Sequence, residues 1–310
     1  MPNKRAFSAR DFSQSPFYKL RTRKRLAQIL LTSLGTLEFL LKYSDLYVRR
    51  YKHKKDDEIW LRAPPNVEEA HLYRPIDIPD PKLKELQSRI ADLLGRIQPP
   101  SYLFSPVKGR SYVDNAARHK GARAFWLLDI ADYFPSCTSN NVARFFSHHM
   151  RCSPDVIAML VRMTTLAGSL PQGSPCSPAL AFYSNYEMWE DIARLVHLSG
   201  CELSVYADDL TISGKSVPGS LIWEIKRRVN RQGLRIKKEK ELSLIDAPAD
   251  ITGVIVRGDR TLLPNRQHQK LQQLREERRM TRDPAMRAVL ERRIAGRVAQ
   301  RRQVEDGVSS

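Results

Sequence analysis

The stretch Ser204-Val205-Tyr206-Ala207-Asp208-Asp209-Leu210-Thr211-Ile212-Ser213 leaves the backbone few choices. An apolar run, a sharp turn carrying two adjacent carboxylates and a second alternating run read as a β-hairpin with its charge at the tip. Aspartates are ordinary turn residues, and a solvated turn accounts for the pair when nothing else in the chain answers it. A functional reading needs other side chains to converge on this tip.

The chain has 310 residues, 42% of them apolar, which suits a globular protein with a sizeable core and two or three subdomains. Lys and Arg number 52 against 34 Asp and Glu, a formal charge of +18. That excess favours a polyanionic partner, because each neutralised phosphate releases condensed counterions. The basic segments are spread along the chain rather than gathered beside one membrane-facing segment, so no membrane partner is expected. Cys137, Cys152, Cys176 and Cys201 show no CxxC spacing and follow no signal peptide, which predicts reduced thiols in the cytoplasm. His148, His149 and Cys152 lack a second ligand pair at zinc spacing. The apolar run Leu26–Leu41 is too short and too polar to span a bilayer and reads as one or two core-facing helices, with Gly35 as the break.

Residues 1–50 read as a basic, helical N-terminal extension that ends in the cluster beginning at Arg49. A hairpin or loop through Asp56-Asp57 and Ile59-Trp60-Leu61 precedes the extended segment Arg74–Pro79. Pro81 opens a helix whose Leu83, Leu86, Ile90, Leu93, Leu94 and Ile97 form one stripe. Ala122–Ile130 reads as a buried strand delivering Asp129 at its end, and residues 139–168 as helical. Ser177 is the expected N-cap of a helix running to about Leu198, Val217–Gln232 an amphipathic helix, and Ile251–Val256 a strand. Pro264–Ser310 is basic and helical, restarting at Asp283-Pro284. This alternation predicts an α+β fold, an open sheet with helices on one face.

Three signals fall in order: Asp129-x-x-x-x-Phe134, Leu170-Pro171-Gln172-Gly173-x-x-x-Ser177-Pro178 and Tyr206-Ala207-Asp208-Asp209. A strand ending in Asp129 beside a tip bearing Asp208 holds two carboxylates close together, paired strand positions having Cβ atoms ~4.5–5.5 Å apart. Such anions repel, and a divalent cation relieves the repulsion. Oxygen ligands suit Mg²⁺, and two ions would activate a 3′-hydroxyl and stabilise a leaving pyrophosphate.

In these three boxes the chain resembles reverse transcriptases, more narrowly the bacterial retron type, from about residue 40 to residue 300. Asn115-Ala116-Ala117-Arg118-His119 is similar to the retron Asn-Ala-x-x-His box, and Ile251-Thr252-Gly253 to its Val-Thr-Gly box with Ile for Val. The resemblance implies a right-hand polymerase: fingers over residues 51–120, palm over 121–256 with a helical insertion at about 139–168, and a basic helical thumb over 257–310. It implies that Asp129, Asp208 and Asp209, with the Ile130 carbonyl, are catalytic and hold two Mg²⁺ ions. Phe134 would lie under the sugar and reject a 2′-hydroxyl, which disfavours an RNA-templated RNA polymerase. Gln172, Gly173, Arg74 and Lys240 would meet the incoming nucleotide. The lysine usual in the strand before Arg74 is not obvious, and Arg62 is the nearest candidate. Asn115, His119, Thr252, Gly253, Arg266, Lys270, Arg275, Arg278 and Arg279 would contact RNA or DNA. The implied partners are a cognate structured noncoding RNA and its DNA product, deoxynucleoside triphosphates, and an effector protein of an antiphage system. The alternatives are another bacterial reverse transcriptase, of abortive-infection or diversity-generating type, and an RNA-binding scaffold restraining an effector. The chain ends soon after the thumb, which leaves no room for a maturase or endonuclease extension.

Overall fold

Short polar side chains open the first helices of the computed structural model, which describes residues 11–43, 46–56 and 58–306. Part of the expected basic extension, Asp57 and the last four residues of the segment expected to be a thumb therefore lie outside the described residues. Thr22 accepts the Arg25 N–H to start α1 (Arg23–Ile29), and Ser33 accepts that of Thr36 to start α2 (Leu34–Leu40). The break between them is at Leu31, which sits at a φ of 58°, while Gly35 belongs to the first turn of α2. Strands β1 (Tyr47–His53), β2 (Trp60–Leu61) and β3 (Tyr73–Pro79) form an antiparallel sheet in the order β2-β1-β3. Asp80 caps α3 (Pro81–Leu94), which buries Leu83, Leu86, Ile90, Leu93 and Leu94 as its stripe predicts, whereas Ile97, expected on the same stripe, is buried beyond the end of the helix at Gly95.

Next come β4 (Leu103–Ser105), α4 (Tyr112–Ala117), β5 (Ala124–Asp129) and α5 (Tyr133–Ser136). Ser111 and Asp114 close a capping box on α4. The helical stretch expected over 139–168 divides into α6 (Ser139–Arg144), a π-helical turn Phe145–His149, and α7 (Pro154–Thr164). The helix expected from Ser177 to Leu198 is two, α8 (Ser177–Tyr183) and α9 (Tyr186–Leu198). Its N-cap is Cys176; Ser177 is the first helical residue, and its hydroxyl donates to the Pro171 carbonyl at 2.8 Å. Strands β6 (Glu202–Tyr206) and β7 (Asp209–Gly214) form the hairpin, followed by α10 (Gly219–Arg231) and β8 (Leu242–Ile245).

The single strand expected over 251–256 is two, β9 (Ala249–Ile251) and β10 (Val254–Arg257). Asp250 accepts the Gly253 N–H at 3.0 Å, and Thr252 and Gly253 take φ of 49° and 87°, so the chain turns back on itself. After β11 (Arg260–Leu262) come α11 (Asn265–Met280) and α12 (Pro284–Asp306), with Asp283 accepting the Ala285 N–H at the restart.

The chain divides into two compact units, each assembled from separate stretches. The first takes the residues up to Pro100, Ala131–Asp191 and Arg228–Arg235. It holds the β1–β3 sheet and an aromatic core in which Phe17 meets Phe146 edge-on. The second takes Ser101–Ile130, Ile192–Arg227 and the chain from Ile236. It holds a five-stranded sheet of order β4-β6-β7-β5-β8 and a three-stranded sheet of order β11-β10-β9. Val113, Ala116, Phe125, Ala249, Ile251, Val254, Val256, Leu263 and Val304 share its core. Burying a side chain such as Phe125 contributes ~1.5–3 kcal/mol. All pairings in the larger sheet are antiparallel except β4 with β6, and β5 lies between β7 and β8.

Candidate active site

The register of the larger sheet brings the acids together. Asp129, last residue of β5, is the cross-strand partner of Asp209, first residue of β7. Directly opposed positions point to one face of a sheet, so these two carboxylates face each other. Sequence reasoning paired Asp129 with Asp208 instead. Asp208 occupies the corner, where its carbonyl accepts the Ile130 N–H at 2.9 Å. Ala207 turns that corner at a φ of 56°, a left-handed conformation uncommon for a residue with a side chain. On its other edge the Asp129 carbonyl accepts the Lys237 N–H at 2.8 Å, and Ile130 bridges to Ile236. That pairing leads directly into the short 3-10 turn Lys238–Lys240.

Lys240 closes the cluster: its ammonium donates to Asp129 Oδ2. Burial disfavours the charged lysine, but the bond to Asp129 and the charges of Asp129, Asp209 and Asp208 outweigh it and raise the Lys240 pKa. Burial also raises the pKa of Asp208, with the charge of Asp129 adding to it. Asp209 is pushed up to about 7, by burial first and then by Asp208 and Asp129. The three acids thus form a repulsive set only partly balanced by one ammonium.

This donor set fits a divalent cation. Every side-chain donor is a hard carboxylate oxygen, and Asp208 and Asp129 add, after burial, to the rise in the Asp209 pKa, a repulsion that a cation would relieve. Among the described residues no group of three or more His, Cys, Asp or Glu side chains is arranged to hold a metal ion by itself. Magnesium is usually held in that incomplete way, by one or two carboxylates with water and substrate phosphates.

The other nucleotide-site candidates belong to the first unit. The Gln172 carbonyl accepts the Asp77 N–H of β3 at 2.7 Å, and Gly173 sits at a φ of 133°. A Cβ on Gly173 would come within 2.5 Å of the Asp77 carbonyl oxygen, so glycine is what lets this loop lie on the strand. Phe134, half-buried on α5, lies 5.8 Å from the Tyr133 ring, centroid to centroid. Arg74 is exposed on β3, and its cross-strand partner on β1 is Lys52. Arg62, the candidate taken from the sequence, follows β2 and has no place in that register. Lys52 also lies 5.5 Å over the Trp60 ring, so one face of the sheet joins two cations and an indole. A cation across from Arg74 was hidden because the pairing spans a long connection in sequence.

Of the residues assigned to nucleic acid, Asn115 and His119 lie inside the second unit, each 1% exposed. His119 bonds Ser213 and Ser204, and Asn115 donates to Thr252 Oγ1, so these two side chains hold the protein rather than offer a surface. Thr252 and Gly253 form the half-buried turn between β9 and β10. On α11, Arg266 pairs with Asp250, and Arg278 with Glu291 of α12. Lys270, Arg292, Arg293 and Arg297 line a groove of ≈ 560 Å³ along this helical hairpin. Arg275, Arg278 and Arg279 line a second, of ≈ 340 Å³.

Residues 53–256 match the model of the family described as reverse transcriptase (RNA-dependent DNA polymerase). The chain is 35% identical to the retron Se72 reverse transcriptase of Salmonella heidelberg over 145 residues, 45% of this chain and 37% of that protein. It is 29% identical to the retron Ec86 reverse transcriptase of Escherichia coli over 187 residues, 60% and 54% of the two chains. With the retron Mx65 reverse transcriptase of Myxococcus xanthus it shares 29% identity over 244 residues, 71% and 54%. The chain spans about half the length of the curated relatives it matches. Among the described residues no helix is long and apolar enough to cross a membrane.

Proposed function

The chain belongs to the reverse transcriptase family, and from that premise we propose that it is an RNA-directed DNA polymerase of retron type. The observation that carries this reading is Asp129 facing Asp209 across the sheet, with Asp208 at the adjoining corner, inside the family-matched stretch. In this reading the β1–β3 sheet belongs to the fingers, the five-stranded sheet is the palm, and α11 with α12 the thumb. The template is a structured noncoding RNA, and a 2′-hydroxyl of that RNA primes synthesis, leaving single-stranded DNA joined to RNA. An effector protein and a role in antiphage defence, in the cytoplasm, complete the assignment.

Reverse transcriptases generally use divalent metal ions. Asp129, Asp208 and Asp209, with the Ile130 carbonyl, would hold Mg²⁺, which activates the attacking hydroxyl and stabilises the departing pyrophosphate. Lys240, whose ammonium bonds Asp129, would supply a cation for the triphosphate. Arg74 offers the planar fork that matches phosphate oxygens, and Lys52 the point charge beside it. The Gln172-Gly173 backbone admits the nucleotide closely, and Phe134 excludes a ribose 2′-hydroxyl. Thr252 and Gly253 contact RNA, and Arg266, Lys270, Arg275, Arg278 and Arg279 hold the template–primer backbone.

The test is expression of the chain with its native upstream flanking sequence, followed by isolation of nucleic acid. A discrete DNA covalently joined to RNA, present with wild type and absent with Asp208→Asn, is the expected result. The same product from Asp208→Asn, or none from wild type, would overturn the assignment.

A further inference from the structure

One buried polar cluster lies outside the acids themselves. Nδ1 of His119 is 2.7 Å from Ser213 Oγ, and Nε2 is 2.7 Å from Ser204 Oγ. All three side chains are 1% exposed. Burial, with the charge of Arg118 adding to it, pushes the His119 pKa down to about 3, so the ring is neutral and has one donor and one acceptor nitrogen. Each serine hydroxyl complements whichever role its nitrogen takes.

The two serines stand on different strands of the acid-bearing hairpin. Ser204 of β6 pairs with Thr211, and Ser213 of β7 pairs with Glu202. Side chains alternate along a strand, so Asp209, Thr211 and Ser213 share one face of β7, and Ser204 joins that face from β6. His119 therefore grips both strands on the face that carries Asp209, roughly 7–14 Å along the hairpin from the acid at ~3.4 Å per residue. Slipping β6 by one residue against β7 would turn Ser204 to the opposite face and break the bridge.

The imidazole is itself anchored. His119 stands in the turn that follows α4, its N–H donating to the Ala116 carbonyl at 3.0 Å, and Asn115 of α4 donates from Nδ2 to Thr252 Oγ1 at 3.2 Å. The Thr252 hydroxyl donates onward to the Tyr112 carbonyl at 3.3 Å, which fixes the direction of the Asn115 bond. The capping box of Ser111 and Asp114 fixes the N-terminal end of the same helix.

We propose that His119 is a positioning residue that locks the register of β6 on β7 and thereby fixes the hairpin corner that presents Asp208 and Asp209, the pairing of β5 with β7 setting Asp209 opposite Asp129. The inference rests on reading those acids as the polymerase site. It departs from a direct RNA contact for His119, and the two assignments differ in what a substitution changes. His119→Ala should lower kcat for primer extension by at least ~30-fold and move the Mg²⁺ midpoint about tenfold higher. The Kd for the RNA template should change less than twofold, and amide hydrogens of β6 and β7 should exchange at least ~10-fold faster. His119→Gln, which keeps a donor and an acceptor, should recover most of the loss. If His119→Ala does not fold, Ser204→Ala and Ser213→Ala carry the same test, each removing one of the two bonds. Weakened RNA binding with kcat retained would overturn the proposal, as would unchanged kcat and exchange. Hydrogen exchange needs no catalysis, so it tests the lock even if wild type extends no primer. Wild-type inactivity would count against the polymerase reading alone.

Discussion

Replacing Gly173 by alanine puts a number on how closely the Pro171-Gln172-Gly173 loop lies on β3. The added Cβ would stand 2.5 Å from the Asp77 carbonyl oxygen, 3.0 Å from Ile76 Cγ2 and 3.1 Å from the Asp77 carbonyl carbon. Ordinary contact begins at 3.4 Å, so the loop must retreat by roughly 0.9 Å. Such a retreat strains or breaks the 2.7 Å bond from the Asp77 N–H to the Gln172 carbonyl, worth about 1 kcal/mol. Holding alanine at a φ of 133° adds ~1–3 kcal/mol of backbone strain. The sum, about 2–4 kcal/mol, should lower the unfolding midpoint by ~3–6 °C for a chain of 310 residues. Gly168→Ala is the control: its φ is 83° and no atom lies within 4 Å of the added carbon, so it carries backbone strain without the collision. Thermal unfolding of both variants, with deoxynucleotide KM from primer extension, separates the terms. Gly173→Ala should fall well below Gly168→Ala in midpoint and show a raised KM. Equal midpoints together with an unchanged KM would refute the argument that contact with Asp77 sets the loop.

Asp208→Asn should reduce primer extension by at least ~10³-fold while melting at or above the wild-type temperature without metal, because it removes one of three mutually repelling charges; a lower melting temperature would refute that account of the cluster. Lys240→Met removes the ammonium from Asp129, so its metal-free midpoint should fall and recover on Mg²⁺ addition, and thermal scans with and without the ion check this. Phe134→Ala should raise ribonucleotide incorporation relative to deoxynucleotide, measured by paired kcat/KM values; unchanged selectivity would dismiss the gate. His119 contributes stability that is complete above its ordinary pKa of 6.5 and is lost as pH falls from there towards about 3. The loss is ~1.4 kcal/mol per pH unit. The charged neighbours Arg118 and its partner Glu202 are unchanged in His119→Gln, so the difference in denaturation midpoint between the two proteins should narrow from pH 7 to pH 5.

Local periodicity made much of the fold legible. The stripe of α3, the two helices after Pro264 and the hairpin around Asp208 are each set by neighbours in sequence, and each stands where the pattern puts it. What escaped depends on distant partners. Helices α8 and α9 part at Ser184 and Asn185, where the Asn185 amide donates to the Ala181 carbonyl and to Cys137 Sγ, a residue far back in the chain. The choice between Asp208 and Asp209 as the partner of Asp129 is a shift of one residue in register, and no local pattern in β5 or β7 decides it. Lys52 faces Arg74 only because β1 pairs with β3 across a long intervening segment. The boxes containing His119 and Thr252 were visible as words, but their burial and mutual attachment through Asn115 come from packing alone.

The hairpin of α11 and α12 has a further consequence. Of its large apolar side chains only Leu271, Leu290 and Val304 are buried, and Met280 near its turn is 86% exposed. At its base Thr261 donates to the Val304 carbonyl at 2.6 Å, whereas the turn end has mainly the Arg278–Glu291 ion pair. A helix pair with so little apolar contact opens at low free energy, far below that of the sheets. In the free protein its turn end should be the first described segment that a trypsin-like protease cuts, given the arginines there. A bound polyanion that favours the closed pair raises that opening free energy by mass action. Sensitivity to limited digestion thus becomes a readout of loading, one that needs neither nucleotides nor metal.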